Sequence, residues 1–401
     1  MRTAYKCRAY PDPEQAAVFN RTFGCVRLVW NKILAQRRAA YHERGERTSY
    51  RQTDAALTAW KKTADLAFLS EVSSVPLQQT LRHQHAAFAH FFAGRARYPR
   101  FKTRNGRQCA HYTRSAFRIK GTELHVAKTK TPLAFVWSFD VDLATLDPTM
   151  VVVSREAADR WYVTFAVDTE APQPLEKTGH EVGVDLGVAD FAVLSTGQRI
   201  ANPRPLERKA RNLARYQRRM ARCQRGSINR RKAKAKVARA HRKVRHARAD
   251  FLHRTSTNLV RTADTIVVED LAVENMVKNR RLAKAISDCG WREFRRQPQY
   301  KAERVGRTLV VVDRWYPSSK TCSACGYLLA VLSLSTRRWT CPACRTRHDR
   351  DVNAAKNILA AGRAVAGQEP GDACGADVRR QGSSLPRSAV KQEPRAVRRP
   401  A

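Results

Sequence analysis

His180–Gly197 reads HEVGVDLGVADFAVLSTG. Two short apolar runs meet around Gly187, the pattern of a tight β-hairpin. Val182, Val184 and Leu186 share one face of the first run, and Asp185 takes the other face between Gly183 and Gly187. The glycines carry no side chain, so the expectation is room beside the carboxylate for an ion or a phosphate. Working outward, DTIVVEDL holds a continuous apolar run of the buried-strand kind, ending at Glu269. Ligands gather at the carboxyl ends of strands in α/β sheets. GRTLVVVDRWYP, starting at Gly306, is another such strand. Asp351 opens an Ala-rich helix, where the helix dipole favours its charge. Each acid alone also reads as a solvated strand end or, for Asp349 and Asp351, as an N-cap. Together, three hard oxygen donors suit two magnesium ions bridging a scissile phosphate.

Between the last strand and that helix stand Cys322, Cys325, Cys341 and Cys344: a CxxC pair, fifteen residues, and a second CxxC pair. Thiolates two residues apart chelate one ion from a tight turn, and two such turns close a tetrahedral zinc shell. Four thiolates leave no open position for chemistry, so the expected zinc is structural and holds a ribbon of about thirty residues. Arg337, Arg338 and Trp339 between the pairs read equally as nucleic-acid contacts or as a packed aromatic with solvated charges. The other six of the ten cysteines are scattered without a disulfide framework, which fits a reducing cytoplasm.

The 401 residues carry 76 Lys and Arg against 35 Asp and Glu, a formal charge of +41. Such a surplus points to a polyanionic partner, with nucleic acid first. No apolar run approaches a membrane span, and the N-terminus lacks the apolar stretch of a signal peptide. TAYKCRAYP reads as a strand, and Phe19, Phe23, Val26, Trp30 and Ile33 then recur at helical spacing, as do Leu77, Leu81, Phe88 and Phe92. From about residue 101 short strands return, the clearest hairpin being MVVVSREAADRWYVTFAVD from Met150. Residues 170–179 make a Pro-rich boundary, and the chain beyond about Gly362 reads as a disordered basic tail.

The motifs GVDLGVADFAVLSTG, VVEDL, RRLAKAISDCGWREF, YPSSKTCSACG and WTCPACRTRHDRDVNAAKNI closely resemble the TnpB family, as do GCVRLVWNKIL and YPRFK near the N-terminus. These are transposon-encoded, RNA-guided DNA endonucleases related to type V CRISPR nucleases. The resemblance spans about residues 1–360. It implies a multidomain α/β plus all-β chain. A wedge β-barrel is expected over residues 1–10 and 97–172, with a helical recognition domain inserted at 11–96. An RNase H-like (RuvC) nuclease domain is expected over 178–315 and 346–362, interrupted by a zinc ribbon at 316–345, with the tail at 363–401. By resemblance Asp185, Glu269 and Asp351 are the catalytic, magnesium-binding acids. A guide RNA would supply target sequence by base pairing, with double-stranded and single-stranded DNA as the target. Tyr50, Gln78 and Thr113 are candidates for reading a short flanking motif, although the neighbouring SSVPLQQT has small residues where the family can carry larger or charged ones. A prokaryotic cytoplasmic chain, taken as a monomer, is the working expectation.

From Arg208 to Arg248 there are eighteen Lys or Arg and no acid. Runs on solvated faces normally include compensating acids, so this tract is expected to hold phosphates of the guide RNA or the guide–target duplex, through Arg215, Arg218, Arg219, Arg222, Arg230, Arg231 and Lys232. Val237, Val244, Phe251 and Leu259 form an apolar stripe that packs its second part. Two other functions remain. A repressor derived from the same family would have lost an acid, and all three stand. A strand-joining transposase would need a nucleophilic Tyr beside paired His ligands, and HQH at His83–His85 has no such surroundings.

Overall fold

The computed structural model describes residues 1–170, 172–333 and 335–366. The chain opens with strand β1 (Arg2–Tyr10) and helices α1 (Pro13–Arg44), α2 (Tyr50–Trp60) and α3 (Ser74–Phe92). Strands β2 (Gln108–Thr113), β3 (Phe117–Lys120), β4 (Glu123–Val126), β5 (Ala134–Val136), β6 (Pro148–Glu156) and β7 (Arg160–Asp168) follow. Asp12 starts α1 with a reciprocal cap: its carboxylate accepts from Gln15 N, and the Gln15 side chain returns to Asp12 N. Gly45 ends the helix in the left-handed conformation, at φ 67°.

The first sheet runs β2-β6-β7-β1-β5 and is antiparallel throughout. Its core holds Tyr112, Val151, Val163 and Phe165, and Phe19 and Phe23 of α1 plug into it. From Cys25 onward the same helix packs instead with Leu57, Leu69, Leu77 and Leu81. Helix α1 therefore belongs to both units, and packing does not divide at residue 10. The motif YPRFK docks on α1: Trp30 Nε1 donates to Arg100 O at 2.9 Å, and Lys102 lies 4.0 Å over the Trp30 ring. The expected barrel is not closed by backbone pairing among the described residues. β2 and β5 remain edges, and the β3–β4 hairpin covers the core through Phe117, Leu124 and Val126.

The second unit begins with β8 (Glu181–Leu186), β9 (Asp190–Leu194) and β10 (Arg199–Ala201). Helices α4 (Pro205–Arg222) and α5 (Ile228–Thr262), strand β11 (Thr265–Glu269), helices α6 (Val273–Met276), α7 (Ala283–Cys289) and α8 (Trp291–Val305), and strand β12 (Thr308–Val312) come next. The small strands β13 (Arg338–Thr340) and β14 (Arg347–Asp349) pair with each other, and α9 (Arg350–Ala366) closes the described chain. The sheet order is β10-β9-β8-β11-β12, with β8, β11 and β12 parallel and the two hairpin strands antiparallel. One face packs Val182, Val184, Ile266 and Val268 against Leu252, Leu259 and Phe294 of α5 and α8. α9 covers the other face.

β14 pairs with β13 and runs straight into α9, so the ribbon extends to Asp349 rather than stopping at residue 345. Residues 363–366, expected in the tail, continue α9; the rest of that expected tail lies outside the described residues. Among the described residues, no helix is long and apolar enough to cross a membrane.

Candidate active site and zinc centre

β8 and β11 are parallel with Val184 opposite Val268, so the next positions, Asp185 and Glu269, sit on neighbouring strands at the same carboxyl edge. Asp351 lies in the first turn of α9, across that edge. Burial, then the Glu269 and Asp351 carboxylates, push the Asp185 pKa up to about 8. Burial also raises Glu269, opposed by the Ser318 hydroxyl, which donates to its Oε1 at 3.1 Å. Arg337 approaches Asp351 at 3.5 Å. Arg199 reaches Asp351 at 3.8 Å while binding both Asp349 oxygens at 2.8 Å and Asp190 at 2.7 Å. Asp349 caps α9, accepting from Asp351 N and Val352 N at 3.2 and 3.1 Å.

A raised carboxyl pKa has a consequence for stability. The neutral form of Asp185 is favoured by folding, so its contribution is fully present below the ordinary carboxylate pKa and is lost as pH rises to about 8. Magnesium-free protein should therefore melt at progressively lower temperature between pH 5 and pH 8, and Asp185→Asn should flatten that slope in calorimetry. A slope unchanged by the substitution would contradict this assignment.

The space over Gly183, which the sequence leaves open, is filled by α9. A Cβ on Gly183 would sit 2.1 Å from Ala355 O and 2.8 Å from Leu359 N, so the glycine exists to let α9 lie directly on the strand. Gly362 on the helix does the same against Val267, whose methyl carbon a Cβ would meet at 2.4 Å. A Cβ on Gly187 would meet Asp190 O at 2.8 Å, inside the hairpin turn. The close approach is what brings Asp351 over Asp185.

Two buried asparagines one turn apart on α9 then tie down the loop before the first Cys pair. Asn357 Nδ2 donates to Ser318 O (2.8 Å) and Thr321 O (2.6 Å). Asn353 Nδ2 donates to Thr321 O (2.7 Å), and its Oδ1 accepts from Ser323 N (2.9 Å). Ser318, so held, is the residue that bonds Glu269. Sequence reading missed this relay, although paired Asn on a helix otherwise lined by Ala was its signal. Asn357→Asp keeps the shape but turns a donor into an acceptor facing two carbonyls. Leaving buried groups unsatisfied costs about 1–3 kcal/mol. Amide exchange at Ser318–Ser323 should then speed up roughly 5- to 150-fold; unchanged exchange would show that the clamp does not order the loop.

The four cysteine Sγ atoms all lie within 4.8 Å of one another, and among the described residues no other group of three or more such ligands does. Cys322 Sγ is 3.6 Å from Cys344 Sγ, and Cys325 Sγ is 3.7 Å from Cys341 Sγ. The edge of a tetrahedron with Zn–S bonds of about 2.3 Å is about 3.8 Å, so the set fits zinc. His348 Nε2 stands 3.0 Å from Cys322 Sγ, positioned to donate to a thiolate. Trp339 is buried 4.6 Å from the His348 ring, which decides for the packed aromatic; Arg337 faces Asp351.

Three family models match: "Probable transposase" of the IS605 OrfB type over residues 164–280, the Cas12f1-like TNB domain over 291–358, and "Helix-turn-helix domain" over 1–46. The last covers a strand and one 32-residue helix in this structure. A Streptomyces pristinaespiralis protein named as a candidate RNA-guided DNA endonuclease is 51% identical over 98% of this chain and 96% of its own. The chain belongs to the TnpB family. InsQ of Escherichia coli (strain K12), named in the same way, is 32% identical over 98% of this TnpB-family chain and 97% of its own. A solved Cas12f1–sgRNA–target DNA complex shares the fold, with TM-score 0.56 at 12% identity over 90% of this chain and 98% of that one.

In this TnpB-family chain α4 and α5 pack as an antiparallel hairpin, with Arg215, Arg218, Arg219, Arg222, Arg231 and Lys232 exposed. Arg230 has a different job: its Nη1 donates to Met220 O (2.9 Å) and Cys223 O (3.0 Å), closing the end of α4. Val237, Val244 and Leu259 are buried as their spacing required. Farther along α5, Arg245 bonds Glu156 at 2.6 Å and Arg242 donates to Ala157 O at 3.3 Å, docking the helix on the first sheet. Tyr50 is half-buried against His85 at 6.3 Å, Gln78 is exposed on α3, and Thr113 is half-buried at the end of β2. α3 packs on β2 through His83 and His111, 4.4 Å apart. Among the described residues no hydrogen bond joins Tyr50, Gln78 and Thr113.

Proposed function

We propose that this protein is an RNA-guided, metal-dependent DNA endonuclease encoded by an insertion sequence, with Asp185, Glu269 and Asp351 as its catalytic acids. One observation carries the reading: two carboxylates at neighbouring registers of a parallel strand pair, with a third on the helix laid over them. The strand order β10-β9-β8-β11-β12 supports an RNase H-like (RuvC) domain. The first sheet and the helices inserted in it support the wedge and recognition domains.

The donor set is all carboxylate oxygen and of like charge, with Glu269 and Asp351 both raising the Asp185 pKa, which suits magnesium rather than a softer ion. Magnesium held there would supply charge neutralisation at the scissile phosphate and an activated water. This chain's own groups prepare the site. Ser318 orients Glu269, α9 sets Asp351 over Asp185, and Arg199 and Arg337 balance the acids' charge. The zinc ribbon continues into α9 and holds its first turn. The α4–α5 hairpin supplies phosphate contacts that position a guide RNA or duplex without reading sequence. Retention of all three acids weighs against a cleavage-free repressor.

The test is purification with the transcript flanking its own coding region, sequencing of the RNA that copurifies, and cleavage of DNA matching that RNA. Cleavage should require both the RNA and magnesium; guided binding without cleavage would transfer the reading to the repressor. If Arg215, Arg218, Arg219, Arg222, Arg231 and Lys232 each neutralise one phosphate, log affinity for RNA should fall against log salt with a slope of at least about −4 to −5 in magnitude. A nearly flat dependence would exclude the hairpin as the main RNA surface.

A further inference from the structure

A second site lies far from the carboxylates in sequence, within the helical unit. A cavity of about 790 Å³ opens between the last turns of α1, the Glu46–Ser49 loop, the end of α3 and Tyr98. That volume is in the range of small-molecule sites, roughly 300–1,000 Å³. Its walls are aromatic. Phe88 and Phe91 meet the Tyr98 ring edge-on at 5.5 and 5.3 Å, and Phe91 and Phe92 lie 5.3 Å apart. This packing leaves Phe92 61%, Tyr41 58% and Tyr98 42% exposed, which is unusual for rings so clustered.

Cations surround the rings. The Arg47 guanidinium lies 5.3 Å over Phe92, and that of Arg37 lies 5.0 Å over Phe88. Arg38, His42 and His85 also line the cavity. Among the described residues the one acid lining it is Glu46, which is engaged by Arg44 Nε at 3.0 Å. Arg37 is only 9% exposed, and its Nε and Nη2 find no hydrogen-bond partner. A buried guanidinium without an acceptor is costly, and natural sites supply one.

We propose that this cavity receives one unstacked nucleobase of a single strand, with the adjoining phosphate on the Arg38 and Arg47 rim. The aromatic faces supply stacking, which every base offers and which is sequence-tolerant. Arg37 supplies donors to carbonyl or ring-nitrogen acceptors of the base. A purely apolar ligand would leave Arg37 unsatisfied, and an acidic peptide would leave the aromatic faces unused. The same chemistry would accept a base of RNA or of displaced DNA. The inference rests on the nucleic-acid reading but not on guided cleavage.

The experiment uses the full chain and generic single strands, so it does not depend on finding the guide. One arm uses a 20-mer RNA with 4-thiouridine throughout; the other uses a 20-mer DNA with 4-thiothymidine. After irradiation, crosslinked peptides are mapped by mass spectrometry. Crosslinks to residues within 37–49 or 85–98 are expected, and the arm in which they are stronger identifies the strand. Separately, affinities are measured for Phe92→Ala/Tyr98→Ala, which removes two exposed rings and should fold. Stacking on one ring is worth roughly 5- to 150-fold, so the double variant should bind at least one strand tenfold or more weakly, with an unchanged salt slope. Tyr98→Phe should retain binding. Absence of any crosslink in those two segments, or a double variant within twofold of the parent for both strands, overturns the proposal.

Discussion

Asp351→Asn should abolish guided DNA cleavage, with a loss on the order of a thousandfold or more, while guided DNA binding stays within about twofold. The substitution keeps the side-chain shape and removes one hard, charged donor from the set over Asp185. On the proposed reading, binding draws on other surfaces, the α4–α5 hairpin and base pairing. Asp185→Asn and Glu269→Gln should behave alike, and double variants should be hardly worse than singles, because groups that act as a unit are not additive. Asp349→Ala is the control, and the structure makes it a demanding one. Asp349 caps α9 and holds Arg199, so its loss removes about 1 kcal/mol of helix start. A few-fold drop in rate is expected there, not silence. A cleavage assay run beside a gel-shift assay separates the outcomes. If Asp351→Asn cuts like the parent, or if Asp349→Ala is the dead variant, the third acid has been misassigned.

Cys341→Ser should dismantle the ribbon altogether. Among the described residues, its buried apolar core beyond Cys322 and Cys341 is Trp339, with Leu329 and Leu332 partly buried beside it. That is too little apolar surface to order some thirty residues, whereas zinc binding in small finger domains contributes on the order of 10 kcal/mol to folding. The parent should carry one zinc per chain by elemental analysis, and well-folded parent without zinc would rule the assignment out. In the variant, amide protection should vanish across β13 and β14 and in the first turn of α9, but persist in β8 and β11. The effect should not stop at yield and solubility. β14 runs into Arg350 and Asp351, and the loop entering the first Cys pair carries Ser318, which bonds Glu269. Cleavage should therefore fall with the zinc content.

Much of this was legible along the chain. Alternation in GVDL, the apolar run before Glu269 and the two CxxC pairs are local patterns. A strand period, a buried strand and a metal knuckle each need only neighbouring residues to be recognised. Other parts were not legible, because they depend on where separate backbones come closest. Gly183 reads as open space in sequence; in the fold it is the contact surface of α9. Arg230 reads as one more cation of a basic run; in the fold it closes the end of α4. Arg199 has no motif around it, yet it holds three acids from different elements.

By itself, the sequence determined the chemistry available to this protein: three acids in an α/β unit, four thiolates at zinc spacing, and a surplus of cations that demands a polyanion. Those follow from residue identity and short-range spacing, which the chain carries whatever its fold. Only the tertiary structure decided which groups cooperate. A helix lying directly on Gly183 sets Asp351 over Asp185. Two asparagines couple that helix to Ser318, and so Glu269 to the zinc ribbon. Aromatic side chains from α3 and the residues after it meet arginines of α1 around one cavity. The reason is physical. Close packing and hydrogen bonding act over a few ångströms, and residues roughly 40 to 170 positions apart reach that range only once the core beneath them has formed.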